Sequence, residues 1–195
     1  MLTSEHAAAR WLAADLAARG MRHAVISPGS RNAPLVLALH HHPQIAVAVA
    51  VDERAAAHMA LGMALRSGTP AAVVSTSGTA AVNFGPAIAE AFHQRVPLLA
   101  LTADRPAGSI GRGHGQTVFQ AGLFAAHTVF SATLDATELQ ESALRACIAD
   151  AWEAATTHRG PVHLNVPFEE PLYGSVDAPC PEPAVAVPPA ALSKQ

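Results

Sequence analysis

The chain has 195 residues, 50% of them hydrophobic and only 14% charged, with a formal charge of −3. That length and composition fit one globular α/β-sized unit with a real core and exclude a disordered chain. The acidic balance excludes the basic footprint of a nucleic-acid binder, and no apolar stretch approaches the roughly 20 residues of a membrane span.

Lys194 is the single lysine, so the cations are almost all arginine, the better residue for bidentate carboxylate recognition. Cys147 and Cys180 do not form a disulfide framework, and a reducing cytoplasm is the expected compartment. The first residues lack the basic-then-apolar pattern of a signal peptide.

Thr3 or Ser4 caps a first predicted helix that runs to about Arg19 and stops at Gly20. A strand at 23–27 follows, broken by Pro28-Gly29-Ser30-Arg31, then a helix to about His41. The apolar run at 45–51 predicts a second, buried parallel strand, and the alanine-rich 53–66 a helix closed by Gly68. A third strand at 71–75 leads through Ser77-Gly78-Thr79 into one long helix ending near Arg95. The fourth strand is 97–102.

Residues 104–114, with Pro106, Gly108, Gly111 and Gly113, read as a long loop, a length usually functional or disordered. A short helix at 120–125, a strand at 128–133, a long helix at 135–157 and a last strand at 161–166 complete the pattern. After Tyr173, prolines crowd a stretch without periodicity, which reads as an unfolded tail or linker cut from something longer. Strands alternating with helices predict a three-layer α/β domain, a six-stranded parallel sheet with helices on both faces.

In such a sheet the loops that end parallel strands meet at one edge, where ligands bind. Here these are residues 27–31, 52–54, 75–79 and 102–106, offering carboxylates, arginines, hydroxyls and helix N-termini. Together they predict a site for an anionic small molecule. Taken singly, each has a plain structural reading. Ser75-Thr76-Ser77-Gly78-Thr79 is also an N-cap cluster. Glu53 also complements a helix dipole, and Asp104-Arg105 also reads as a salt bridge at a strand end. Adjacent histidines in His40-His41-His42 point in different directions and cannot all bind one ion. Phe84, Phe92, Trp11 and Trp152 fall at helical spacings as core or interface residues.

These loops, in this order, resemble the pyrimidine-binding (PYR) domain of thiamine diphosphate enzymes. Its features are a glutamate after the second strand, a Thr-Ser-Gly loop before a helix, and an asparagine on that helix, here Asn83. The finer resemblance is to the 2-succinyl-5-enolpyruvyl-6-hydroxy-3-cyclohexene-1-carboxylate (SEPHCHC) synthases of menaquinone biosynthesis. Five motifs carry it: Ser27-Pro28-Gly29-Ser30-Arg31, Asp52-Glu53-Arg54, Thr76-Ser77-Gly78-Thr79-Ala80, Thr102-Ala103-Asp104-Arg105-Pro106, and Pro167-Phe168-Glu169-Glu170-Pro171-Leu172-Tyr173. One departure is Gly115 before Gln116, where some members have asparagine.

The resemblance implies a PYR domain at 1–175 and a linker at 176–195 toward a middle domain beyond this chain. It implies that Glu53 hydrogen-bonds a ring nitrogen of the cofactor's aminopyrimidine, a task that suits an apolar, water-poor setting. Pro28, Gly29, Thr76, Thr79 and Asn83 match the pyrimidine pocket. Ser30, Arg31, Arg105 and Gln116 match residues that bind the acceptor isochorismate after decarboxylation of 2-oxoglutarate. The cofactor's diphosphate and its Mg2+ belong to another domain. The implied assembly is a homodimer or dimer of dimers, with an apolar patch near the 77–95 helix, around Phe84 and Phe92. Alone, the piece is expected to be catalytically silent.

Overall fold

The computed structural model describes residues 2–135 and 139–184. The chain opens with β1 (Leu2–Ser4), α1 (Ala7–Arg19), β2 (His23–Ile26), α2 (Ala33–His40), β3 (Ala46–Val49) and α3 (Glu53–Ser67). It continues with β4 (Ala71–Ser75), α4 (Thr79–Val82), α5 (Gly85–Gln94), β5 (Leu98–Asp104) and β6 (Phe130–Thr133). It closes with α6 (Glu141–Thr157), β7 (Val162–Pro167) and β8 (Ser175–Asp177).

Six strands form one sheet in the order β3-β2-β4-β5-β7-β6, every neighbouring pair parallel. This is the expected fold class. Successive strand residues point to opposite faces, and the apolar runs fill both. Ala24, Ile26, Ala72, Val74, Leu99 and Leu101 pack with α1, α2 and α6. Val25, Ala71, Val73, Leu98 and Ala100 pack with α3 and α5. Small side chains on α3, Ala56, Ala57, Ala60 and Ala64, are all buried and let that helix lie close to the sheet.

The strand order reverses at β2: the chain steps from β2 out to β3, then back to β4 on the other side. The C-terminal ends of β2 and β4 therefore flank a topological switch point, the usual ligand crevice of an open α/β sheet.

Several expectations are corrected. Thr3 and Ser4 do not start the first helix; they lie in β1, which pairs antiparallel with β8. The stretch after Tyr173 is thus not wholly irregular, and β8 lies across the expected boundary between 175 and 176. Two strands of the chain ends staple each other because both carry free edges. The expected long helix from Ser77 is two helices, α4 and α5, with Pro86 in the first turn of the second. Proline lacks the N–H that a continuous helix needs there and is tolerated only where a helix begins.

The short helix at 120–125 is turns followed by a 3-10 turn at Ala125–His127. The 135–157 helix begins only at Glu141, and part of its expected first turn lies outside the described residues. Nor is the 45–51 run a buried strand. β3 is a sheet edge, with Val49 65% and Val51 82% exposed. Finally, Phe84 is fully buried in the α3/α5 core and not on a surface patch. Among the described residues no helix is long and apolar enough to cross a membrane.

Candidate functional site

The β2–α2 turn and the β4–α4 turn press against each other at the switch point. The Arg31 N–H donates to Thr76 Oγ1 at 3.2 Å. A Cβ on Gly29 would lie 2.4 Å from Thr76 Cβ, so only glycine permits this approach. Asn32 Nδ2 donates to the Ser27 carbonyl at 2.8 Å and ties the turn to the end of β2. The hydroxyls of Ser27 and Ser75, at the tips of neighbouring strands, are buried without a hydrogen-bond partner among the described residues. Pro28, Gly29 and Ser30 are exposed along the same rim.

On the β3 side, Asp52 caps α3 by accepting the Ala55 N–H at 2.7 Å. Glu53, the first residue of α3, is half-buried between exposed neighbours, and its carboxylate bonds to no other described residue. Among the described residues no strand lies beyond β3, so none of them supplies the water-poor setting expected for it. Thr79, the first residue of α4, and Asn83, its C-cap, are exposed and joined by a bond from Asn83 Nδ2 to the Thr79 carbonyl at 3.0 Å.

The opposite side is more closed. Arg31 is buried; its Nη1 donates to the Phe168 carbonyl at 2.9 Å and its Nη2 faces Glu170 Oε1 at 3.4 Å. Burial, then the neighbouring Arg105 charge, lowers the Arg31 pKa, with Glu170 opposing. Arg105 is half-buried, and its Nε has no hydrogen-bond partner among the described residues. Arg31, Arg105, Pro106, Ser109, Glu169 and Glu170 line a cleft of about 330 Å³. A larger cleft, about 620 Å³, runs along α1 and α6 beside Ala184 and contains none of the strand-tip residues.

Under this cleft lies a buried polar chain. Asp104 Oδ1 accepts the Arg105 N–H at 2.8 Å, and Oδ2 accepts from Asn165 Nδ2 at 2.8 Å. Asn165 Oδ1 accepts from the Thr102 hydroxyl and from Gln120 Nε2, both at 2.9 Å. Thr102 has spent its one proton on Asn165, so His163 Nε2, 2.7 Å away, must donate to it. His163 is therefore the neutral Nε2–H tautomer, and burial lowers its pKa to about 4. Burial raises the pKa of Asp104, against the hydrogen bonds and the two arginines. The expected Asp104–Arg105 salt bridge is thus a backbone contact, with the carboxylate turned into the protein.

The sequence matches a known family. Residues 6–126 fit the model of the thiamine pyrophosphate enzyme, N-terminal TPP binding domain. The chain belongs to this family. Among curated proteins it is 47% identical over 159 residues to the SEPHCHC synthase of Flavobacterium psychrophilum, covering 82% of this chain and 28% of that one. To the synthases of Desulfotalea psychrophila and Thermobifida fusca it is 49% and 46% identical, covering 84% and 85% of this chain and 31% of each. The chain thus spans about three tenths of the length of these relatives.

The residues suit the pyrimidine end of thiamine diphosphate, the same compound as thiamine pyrophosphate. A close-packed glycine turn, two unpartnered buried hydroxyls and an unengaged carboxylate share one sheet edge. A polar aromatic ring needs such donors and acceptors without a bulky side chain in the way. Among the described residues no group of three or more histidine, cysteine, aspartate or glutamate side chains is placed to hold a metal ion.

Of the expected site residues, the sheet edge gathers Pro28, Gly29, Ser30, Arg31, Glu53, Thr76, Thr79 and Arg105. Asn83 lies one turn along from Thr79. Gln116, with φ of 55°, is exposed, and its backbone rests against Gly78. Gln120, His163, Asn165 and Glu170 were not expected. His163 and Asn165 had a readable signal: two polar residues at period two inside an apolar strand.

Proposed function

We propose that this chain is the PYR domain of a SEPHCHC synthase, which releases carbon dioxide from 2-oxoglutarate and joins the four-carbon remainder to isochorismate. The observation that carries the reading is the cleft where Arg31 and Arg105 converge beside the switch point. Isochorismate bears two carboxylates, and an arginine pair suits them through charge-assisted, planar contacts. The names of the relatives point the same way.

In this reading Glu53 shares a proton with the aminopyrimidine ring, and Pro28, Gly29, Thr76, Thr79 and Asn83 shape the surface against which the ring lies. When bound, the cofactor supplies the electron sink for decarboxylation of a 2-oxo acid. A further domain holds the diphosphate and Mg2+. Arg31, Arg105, Ser30 and Gln116 bind and orient the acceptor.

The half-open setting of Glu53 supports a site completed by a second subunit. Val49, Val51, Met59, Leu65 and Val82, on β3, α3 and α4 or the turns beside them, are exposed apolar side chains that a second subunit would cover. With two free thiols, the protein works in a reducing cytoplasm.

A full-length assay with 2-oxoglutarate and isochorismate tests the reading. Product that depends on both substrates is expected. Carbon dioxide release with no isochorismate-dependent product would assign the protein to another thiamine diphosphate carboligase or decarboxylase. Neither activity would leave a non-catalytic anion-binding module.

A further inference from the structure

One buried side chain spans both halves of the site and has no part in the chemistry above. Gln120 is 1% exposed. Its Oε1 accepts the Gly78 N–H at 2.7 Å. Its Nε2 donates to the Ala103 carbonyl at 3.1 Å and to Asn165 Oδ1 at 2.9 Å. The orientation of this amide is fixed by chemistry, because the Gly78 N–H can only donate and the Ala103 carbonyl can only accept. One side chain thus joins the turn after β4, the end of β5, and β7.

A second contact lies beside the first. Gly78 has φ of 87°, and a Cβ there would stand 3.0 Å from both the Cα and the carbonyl oxygen of Gln116. The loop that begins at Arg105 therefore comes to rest on the Gly78 turn twice. The Gln116 backbone packs on its Cα, and the Gln120 amide grips its N–H. The same turn leads directly into Thr79. An apolar side chain in place of Gln120 would fill the space and leave the Gly78 N–H buried without a partner, a strong penalty.

We propose that Gln120 is a positioning residue that seats the loop bearing Arg105 and Gln116 on the turn bearing Thr79. Acceptor-side and cofactor-side residues are thereby held in one register. The roles of those residues rest on the function proposed above; the seating is a property of this chain alone.

The test has two arms. In the first, Gln120→Leu and Gln120→Glu are made in this 195-residue chain and digested briefly with trypsin. The exposed Arg112–Gly113 bond reports the loop, and Arg10–Trp11, inside α1, reports global opening. Gln120→Leu is expected to speed cleavage after Arg112 at least about ten-fold, with cleavage after Arg10 unchanged. Gln120→Glu keeps an acceptor for Gly78 and loses the amide donor, so an intermediate rate is expected.

In the second arm the full-length variants are assayed. The isochorismate KM is expected to rise about ten-fold, while carbon dioxide release from 2-oxoglutarate alone stays within about three-fold. A side chain that only stabilised the fold would speed both cleavages together and move both activities together, which overturns the proposal. Unchanged cleavage after Arg112 in Gln120→Leu overturns it whatever the enzyme does. Wild-type protein that makes no product from isochorismate would refute the proposed function, and the proteolysis arm would still decide the seating.

Discussion

The two ends of the site differ in how much of their own geometry they carry. At the β5 and β7 tips, Arg31, Asp104, Asn165 and Gln120 are buried and bonded to one another's elements. At the β3 and α4 side, Glu53, Thr79 and Asn83 stand at an exposed edge, and the side-chain bond from Asn83 only closes the end of α4 back onto Thr79. The first half is preorganised by this chain. In the second, none of the described residues closes over Glu53, Thr79 or Asn83. The proposed proton sharing by Glu53 calls for desolvation, which on the proposed reading a second subunit supplies.

The largest expected effect lies at the open end. Glu53→Gln in the full-length protein should lower turnover at least about 100-fold, the low end for removing an acid–base group. The same change in this isolated chain should move stability by no more than about 0.5 kcal/mol, since the carboxylate bonds to no other described residue. Turnover is read from product formation and stability from urea unfolding. A large stability loss in the isolated chain would erase the contrast between the two ends, and near-normal turnover would remove Glu53 from the mechanism.

The closed end predicts the reverse coupling. Arg105→Ala should raise the isochorismate requirement, each lost charge-assisted contact costing roughly 1.5–3 kcal/mol. Carbon dioxide release without acceptor should persist. Arg31→Ala should do the same and in addition destabilise the chain, because its Nη1 satisfies the Phe168 carbonyl. If the two variants unfold at the same urea concentration, Arg31 is no more built in than Arg105. If both activities collapse together, the pair does not serve an acceptor.

A third change probes the seam between the ends. Gly29→Ala should destabilise by about 1–3 kcal/mol through overpacking, since its Cβ would overlap Thr76. Thr76→Ala cannot relieve this, because the nearest atom is the Thr76 Cβ itself. Thr76→Gly in the Gly29→Ala background should recover much of the loss. A double-mutant cycle with no coupling would mean that the two turns do not press together.

Much of this was legible in the sequence. The apolar runs and glycine or proline punctuation placed all six parallel strands, and the strand-end loops named the edge residues, because strand tips in a parallel sheet must converge. What failed was environmental. A run such as 45–51 reads as buried by hydrophobicity alone, yet an edge position is set by strand order, a long-range property. The break at Gly85-Pro86 has a local signature, a proline that cannot continue a helix. The pairing of β1 with β8 joins the two ends of the described chain and has no local signature. The Asp104–Asn165–Gln120 chain depends on the β5–β7 register, which places Thr102 opposite Asn165.

The smallest expected effect localises the comparison by pH. His163 is buried and neutral with a pKa near 4, against 6.5 when free. Below pH 6.5 the unfolded chain binds a proton that the folded chain refuses, so stability falls as pH drops through this window and levels off below about 4. Between pH 6.5 and 5 this one group should cost about 1–2 kcal/mol. His42, whose pKa is also lowered by burial and by Arg22, adds a slope of the same sign. The raised pKa of Asp104 acts oppositely: above 3.8 the folded chain holds a proton that the unfolded chain releases, so its contribution to stability weakens as pH rises. His163→Gln keeps a donor for Thr102 without a titrating ring and should flatten the slope measured by urea unfolding at pH 6.5 and 5. Because His163 lies under the closed end, mild acid should also speed trypsin cleavage after Arg112 in the wild type more than in His163→Gln. An equal acid response in both proteins would place the pH sensitivity elsewhere and break the link between this histidine and the preorganised half of the site.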